Sequence, residues 1–238
     1  KGLEELVDYY KNLIIEFENN KLKDPYKFAY WNYNLGMIQL FMGYSKEAAK
    51  YLETAASISS MLDNRNLKES IYSNLGITYY QLGDLKKAIE YSGQALEIAK
   101  EVGNKKEEGF ILKNFGVIHA QLGNIRKAIE YYEQALEILR EIGDRRGEGA
   151  DLGNLGNAYS DLGEPRKAIE YYEQALKISR KIGDRRGEGA DLGNLGNAYS
   201  DLGEPRKAIE YYEQALKISR KIGDRRGEGA DLGNLGNA

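Results

Sequence analysis

Residues 143–182 and 183–222 are the same forty letters, and 223–238 begin them a third time. A chain with a fixed period of this length is a stack of one supersecondary unit, each copy burying its apolar face on its neighbours. Stepping back by forty finds looser copies at 103–142, 63–102 and 23–62. Asn34, Asn74, Asn114, Asn154, Asn194 and Asn234 hold one column, and Gly36, Gly76, Gly116, Gly156, Gly196 and Gly236 hold another two residues later. Ala48, Ala88, Ala128, Ala168 and Ala208 form a third, and Ala55, Ala95, Ala135, Ala175 and Ala215 a fourth.

Each copy carries two helical patterns. Leu152, Leu155, Gly156, Tyr159 and Leu162 fall on one stripe of a first helix. Gly163 follows as a stop, and Pro165 stands in a first turn, where a missing N–H costs nothing. The second helix buries Ala168, Ile169, Tyr172, Ala175, Leu176 and Ile182. Gly143 and Gly183 end the preceding helices, and Asp144 and Asp184 can cap the next ones. The fold class is therefore all-α, a right-handed α-solenoid of stacked antiparallel helix pairs. Its expected division is an N-terminal helix at 1–22, a cap or divergent half-repeat, and a repeat array at 23–238 whose last copy, 223–238, is partial. Within 1–22 the stripe is Leu3, Leu6, Val7, Tyr10, Leu13, Ile14 and Phe17. At the other end, Leu232 and Leu235 would face solvent unless further repeats or a partner cover them, which invites end-to-end self-association. The start at Lys1 and the stop within a repeat suggest a piece of a longer protein.

Composition narrows the function. The chain has no Cys and a single His, which excludes a disulfide framework, thiolate metal sites and a cysteine nucleophile. With 34 Lys+Arg against 37 Asp+Glu, it lacks the basic surplus of a nucleic-acid binder. It has no run of 18 apolar residues, so no membrane span is expected and the reading is of a soluble, cytoplasmic protein. Neither GxxxxGK[ST] nor a GxGxxG after a strand occurs, which argues against nucleotide binding. No cofactor, metal or catalytic constellation is expected, and the chain is read as a non-enzyme. Scarce Gln and abundant Glu, Lys, Arg, Ile and Tyr match a hyperthermophile's usage. The perfect duplication points to recent gene duplication or consensus construction.

These columns resemble the tetratricopeptide repeat. Its apolar residue, Leu-Gly pair, aromatic, Ala, aromatic and Ala correspond to Leu152, Leu155-Gly156, Tyr159, Ala168, Tyr172 and Ala175. The forty-residue period, with Arg180 and Arg220 where the family usually has a late Pro, is similar to kinesin light chains and to the Leu-Gly-Asn-repeat polarity adaptors. It is also similar to the repeat arrays of STAND signalling ATPases. The resemblance implies a concave groove for a peptide or protein segment, lined by the first helix of each pair. Carried over, its positions are Ala150, Gly153, Asn154, Asn157, Ser160 and Asp161 and their copies, including Asn194 and Asn197. A carboxylate clamp of the chaperone type would need Lys or Arg beside the first Asn, and only Lys113 meets this.

An Asn side chain offers two donors and an acceptor, so a row of them can hold an extended backbone without demanding one sequence. The same row could instead only fix repeat stacking. Near the N-terminal end the inner positions hold Tyr30, Tyr33, Met37, Ile77, Tyr80, Phe110 and Val117, an apolar anchor site or plain core. Gly147, Gly149, Gly153 and Gly156 share one helix at about 1 kcal/mol each against Ala. Gly156 answers to close helix packing, while Gly149 and Gly153 would admit another backbone or loosen the array. The Arg pairs 145–146, 185–186 and 225–226 read as rim salt bridges or as a stripe for an acidic ligand, and His119 reads as core. The leading expectation is a peptide-binding interaction module. The alternatives are the sensing or autoinhibitory arm of a STAND-type ATPase, and a structural or engineered array without ligand.

Overall fold

The computed structural model describes residues 2–20 and 24–237. Among these it holds twelve helices and no strand: α1 (Gly2–Asn20), α2 (Pro25–Phe41), α3 (Ser45–Ser59), α4 (Arg65–Gln81), α5 (Leu85–Val102), α6 (Lys105–Gln121), α7 (Ile125–Glu141), α8 (Arg145–Asp161), α9 (Pro165–Ile182), α10 (Arg185–Asp201), α11 (Pro205–Ile222) and α12 (Arg225–Asn237). The expected boundary at 22/23 lies outside the described residues. The chain divides into two compact units that meet within α6, between Ile118 and His119.

The helix ends follow from short-range chemistry. Asp144, Asp184 and Asp224 each accept a hydrogen bond from the backbone N–H three residues on, at 2.9–3.0 Å, which satisfies a donor the first turn leaves unpaired. Gly143, Gly183 and Gly223 stand at φ of 70–72°, the left-handed conformation that closes a helix without a Cβ penalty. Pro165 and Pro205 open α9 and α11.

In the first unit each helix from α1 to α5 packs on the next. Leu52, Ile71 and Leu75 are fully buried at its centre. Against α2, α1 buries Val7 and Ile14 beside Leu35, and Phe17 stacks on Phe28 at 4.5 Å. Leu3 and Leu6 of the expected stripe stay exposed, because α2 is the helix that α1 packs on and it shields only the middle of that face.

The second unit repeats one arrangement. Each helix from α7 to α12 packs on the next, and α10 also touches α8 and α12. Leu152, Leu155, Leu192 and Leu195 are buried with Ala168, Tyr172, Ala215 and Ile218. In α12 the matching Leu232 is 47% exposed and Leu235 half-buried. The antiparallel pairing of consecutive helices is the local build of an α-solenoid.

Candidate functional site

The first helices of the pairs carry the candidate residues; some of them line three clefts, whereas Asn34 and Asn74 line none of the three. In the first unit Ile77, Tyr80, Phe110, Asn114 and Val117 line a cleft of about 240 Å³ with Gly76, Gln81, Ser92 and Ile118. Ser92 stands in the column that holds Tyr132, Tyr172 and Tyr212, so a small side chain lies over Gly76 where the Tyr172 and Tyr212 rings lie over Gly156 and Gly196. Tyr30, Tyr33, Met37 and Lys113 lie outside this cleft. Tyr33 packs on the core beside Leu75, exposed Tyr30 stacks on Tyr26 at 6.2 Å, and the Lys113 ammonium sits over the Phe110 ring at 4.7 Å. Met37 is half-buried on α2.

The second unit holds two clefts forty residues apart, of about 270 and 260 Å³. The first is lined by Gly149, Ala150, Gly153, Asn154 and Asn157 of α8 and by Asp191 and Asn194 of α10, over Ile178 and Ser179 of α9. The second repeats these residues on α10, α12 and α11, with Asn194, Asn197 and Asn234 at its wall. Small residues on the first helices open both clefts: a Cβ at Gly153 would meet nothing nearer than Asp191 Oδ1, at 4.0 Å.

The Asn columns are not uniform. Asn34 and Asn74 donate to Tyr30 and Ser70 carbonyls on their own helices, at 2.6 and 2.8 Å, so one amide hydrogen of each is already used. Asn157 and Asn197 accept from the Tyr172 and Tyr212 hydroxyls at 2.7 and 2.8 Å. The half-buried Asn154 and Asn194 make no bond back to their own helices among the described residues, and both face clefts.

The Arg pairs 145–146 and 185–186 are engaged in ion pairs. Arg146 and Arg186 reach the cap carboxylates Asp184 and Asp224 at 3.3 and 3.5 Å. Arg145 and Arg185 pair with Glu148 and Glu188 on their own first turns. Arg140 and Arg180 meet the same two buried glutamates at 3.1 and 3.0 Å. Arg180 thus ties α9 across the Gly183–Asp184 turn to α10. His119 is buried and stacks on Tyr131 at 5.3 Å. Burial first, and then the Lys127 ammonium, lower its pKa, so the ring is held neutral.

One feature escaped the sequence reading: a column of buried aspartates, Asp151, Asp191 and Asp231. Ser179 and Ser219 donate to Asp191 and Asp231 at 2.8 Å. Burial raises both carboxyls above the usual aspartate range; Asp191 reaches about 6, with Asp184 and Glu188 adding to the rise and the Ser179 hydroxyl opposing it. The signal was present, since Asp151 lies four residues before Leu155 on the apolar stripe, where a carboxylate is out of place.

The tetratricopeptide repeat family model matches residues 28–101, 67–141, 107–181 and 150–221. The chain belongs to the tetratricopeptide repeat family. Solved structures with the same fold include BtubC (BKLC) from P. vanneervenii, 23% identical over 94% of this chain and 93% of that one, with a TM-score of 0.80. A STAND signal-transduction ATPase with a tetratricopeptide repeat sensor, from Pyrococcus horikoshii, is 27% identical with a TM-score of 0.79; the match covers 95% of this chain and 33% of the ATPase. A Rap protein complexed with competence and sporulation factor is 17% identical over 99% of this chain and 73% of its own, with a TM-score of 0.72. Among curated proteins no relative matches the chain. No helix among the described residues is long and apolar enough to cross a membrane.

Proposed function

We propose that the chain is a non-catalytic interaction module that holds an extended peptide or protein segment against the first helices of its repeats. The observation that carries this reading is the pair of clefts in the second unit. They recur at the forty-residue period, are opened by glycine and alanine, and are walled by Asn154, Asn157, Asn194, Asn197 and Asn234. A repeated amide wall suits a repeated backbone, because each Asn can both donate to and accept from a peptide unit. In the first unit the cleft over Ser92 suits an apolar or aromatic side chain as anchor. The Rap protein named above, of the same fold, is seen with a bound factor.

The test is selection from a displayed library of random peptides, counter-screened against a variant with Asn74, Asn114, Asn154 and Asn194 all changed to Ala. Circular dichroism checks that both proteins are folded. Segments enriched on the native chain and lost on the variant support the reading. No enrichment, or equal retention by both, sinks it and leaves a structural array.

A second reading, favoured by the sensor-bearing ATPase of Pyrococcus horikoshii, makes the chain the sensing arm of a larger switch. A phosphate-binding loop encoded upstream in the same reading frame would favour it, and an upstream frame without one would count against it.

A further inference from the structure

The clefts of the second unit have a floor that an amide wall does not explain. Asp191 is only 7% exposed, and a buried carboxylate is costly unless something repays its lost hydration. Ser179 supplies one hydrogen bond, to Oδ2. Oδ1 is the atom that a side chain at position 153 would meet, at 4.0 Å, so the missing Cβ of Gly153 leaves a path from the cleft to this oxygen. One copy on, Gly193 leaves the same path to Asp231 Oδ1, where a Cβ would stand at 3.7 Å. The second carboxylate also has its serine, Ser219.

The charges in each cleft do not cancel. The first is lined by one cation, Arg146, and two carboxylates, Asp184 and Asp191, which leaves one negative charge when Asp191 is ionised (1 − 2 = −1). Arg146 is already committed to Asp184 at the exposed rim, 3.3 Å away. The second cleft repeats this with Arg186, Asp224 and Asp231. Each volume is many times the ~10–15 Å³ that a single water needs by this measure, so a side chain of several atoms can enter.

We propose that these two clefts take the Lys or Arg side chains of the bound segment, the cation meeting the buried carboxylate of Asp191 in one and of Asp231 in the next. The inference rests on the segment-binding reading above and names the chemistry of the segment: extended, with basic side chains set to the spacing of the repeats. A cation at Oδ1 restores the electrostatic stabilisation that burial removes. The amides of Asn154 and Asn194 line the path beside it.

Binding of this kind is linked to protons. The groups around Asp191 are Asp184 and Glu188 at the start of α10, Ser179 and Tyr172 on α9, and Arg146 on α8, with Arg180 drawn off by Glu188. The Asp191 carboxyl, pushed up to about 6, is mostly protonated at pH 5 and mostly ionised at pH 7. A cation that requires the ionised form therefore binds about tenfold more weakly at the lower pH.

The experiment is a nuclear magnetic resonance titration of the intact chain with Nα-acetyl-arginine amide, Nα-acetyl-lysine amide and the neutral isostere Nα-acetyl-citrulline amide, read at the Gly153 and Gly193 backbone amides. Saturable shifts with a cationic probe support the proposal if citrulline gives none, if binding at the first cleft weakens about tenfold from pH 7 to pH 5, and if Asp191→Asn removes it there. Which of the two cationic probes saturates identifies the favoured head group. A second variant, Gly153→Leu, fills the path in front of Asp191 Oδ1 while keeping the carboxylate itself, and should abolish the probe-induced shifts of the neighbouring Asn154 backbone amide, read in both proteins. No shift with either cation, shifts matched by citrulline, or binding unchanged in Asp191→Asn overturns the proposal. Library peptides that depend on the Asn columns while the cationic probes leave the clefts untouched would sink this inference alone. Cationic probes that bind while the library yields nothing would sink the segment-binding reading and leave the clefts as cation sites.

Discussion

Two glycines three residues apart on α8 should respond to alanine in opposite directions. Gly153 faces a cleft: an added Cβ would meet only Asp191 Oδ1, at 4.0 Å. With nothing to push against, Gly153→Ala retains the helix-propensity gain of about 1 kcal/mol. At Gly156 the added Cβ would come within 2.9 Å of Tyr172 Cζ, and closer still to Cε1 and Cδ1. That ring cannot yield cheaply, being buried and tethered through its hydroxyl to Asn157 at 2.7 Å. Overpacking of this kind costs about 1–3 kcal/mol, and breaking the tether about 1 kcal/mol more. Set against the same propensity gain, Gly156→Ala should lose about 1–3 kcal/mol. Urea unfolding followed by circular dichroism at 222 nm, a wavelength sensitive to helix, gives the two midpoints. Because a stack of repeats unfolds as a sum of local and interface terms, the comparison is made between the two variants under one condition rather than as an absolute stability. A midpoint raised by Gly153→Ala and lowered by Gly156→Ala is expected. Shifts of the same sign, or a neutral Gly156→Ala, would refute the claim that helix approach explains one glycine and cleft opening the other.

The remaining predictions concern the carboxylates, the turn and the first cleft. Asp191 has its folded pKa raised from the ordinary 3.8 to about 6, so between these values the folded chain holds the proton more tightly than the unfolded one. Its contribution to stability is fullest below about pH 4 and is lost as pH rises through 6, at most about 3 kcal/mol; urea midpoints from pH 4 to 7.5 should show Asp191→Asn gaining on the native chain across that window. Removing the Arg180 charge by Arg180→Met leaves the 6% exposed Glu188 to Arg185 alone and should cost about 1–3 kcal/mol, whereas Arg220→Met, whose partner Glu228 is less buried, should cost less by the same assay. Ser92→Tyr restores the ring that other repeats place over the Leu-Gly pair and should close the first-unit cleft; library segments carrying an apolar anchor should then lose binding, and their retention would show that the cleft is not the anchor site.

Much of this is legible in the amino-acid sequence. The forty-residue period, the Gly–Asp punctuation of the turns and the Leu152/Leu155 stripe led to the helix pairs, because caps and amphipathic faces are decided within a turn or two of chain. The packing role of Gly156 was also legible, through the Leu-Gly column. The split of the Asn columns was not: Asn74 bonds to its own helix while Asn157 receives a tyrosine hydroxyl from α9, and nothing in the letters distinguishes these uses.

Sequence alone determined the repeat, the all-α class and the family, since these depend on local patterns copied from unit to unit. Tertiary structure decided which positions became clefts. Asp151 and Asp191 sit in identical forty-residue phrases, yet the helix preceding Asp191 offers Ser179 where the helix preceding Asp151 has Leu139. The surroundings of a side chain in a stack come from the neighbouring repeat, so the same residue in the same local sequence acquires a different floor, charge and opening according to what is packed beside it.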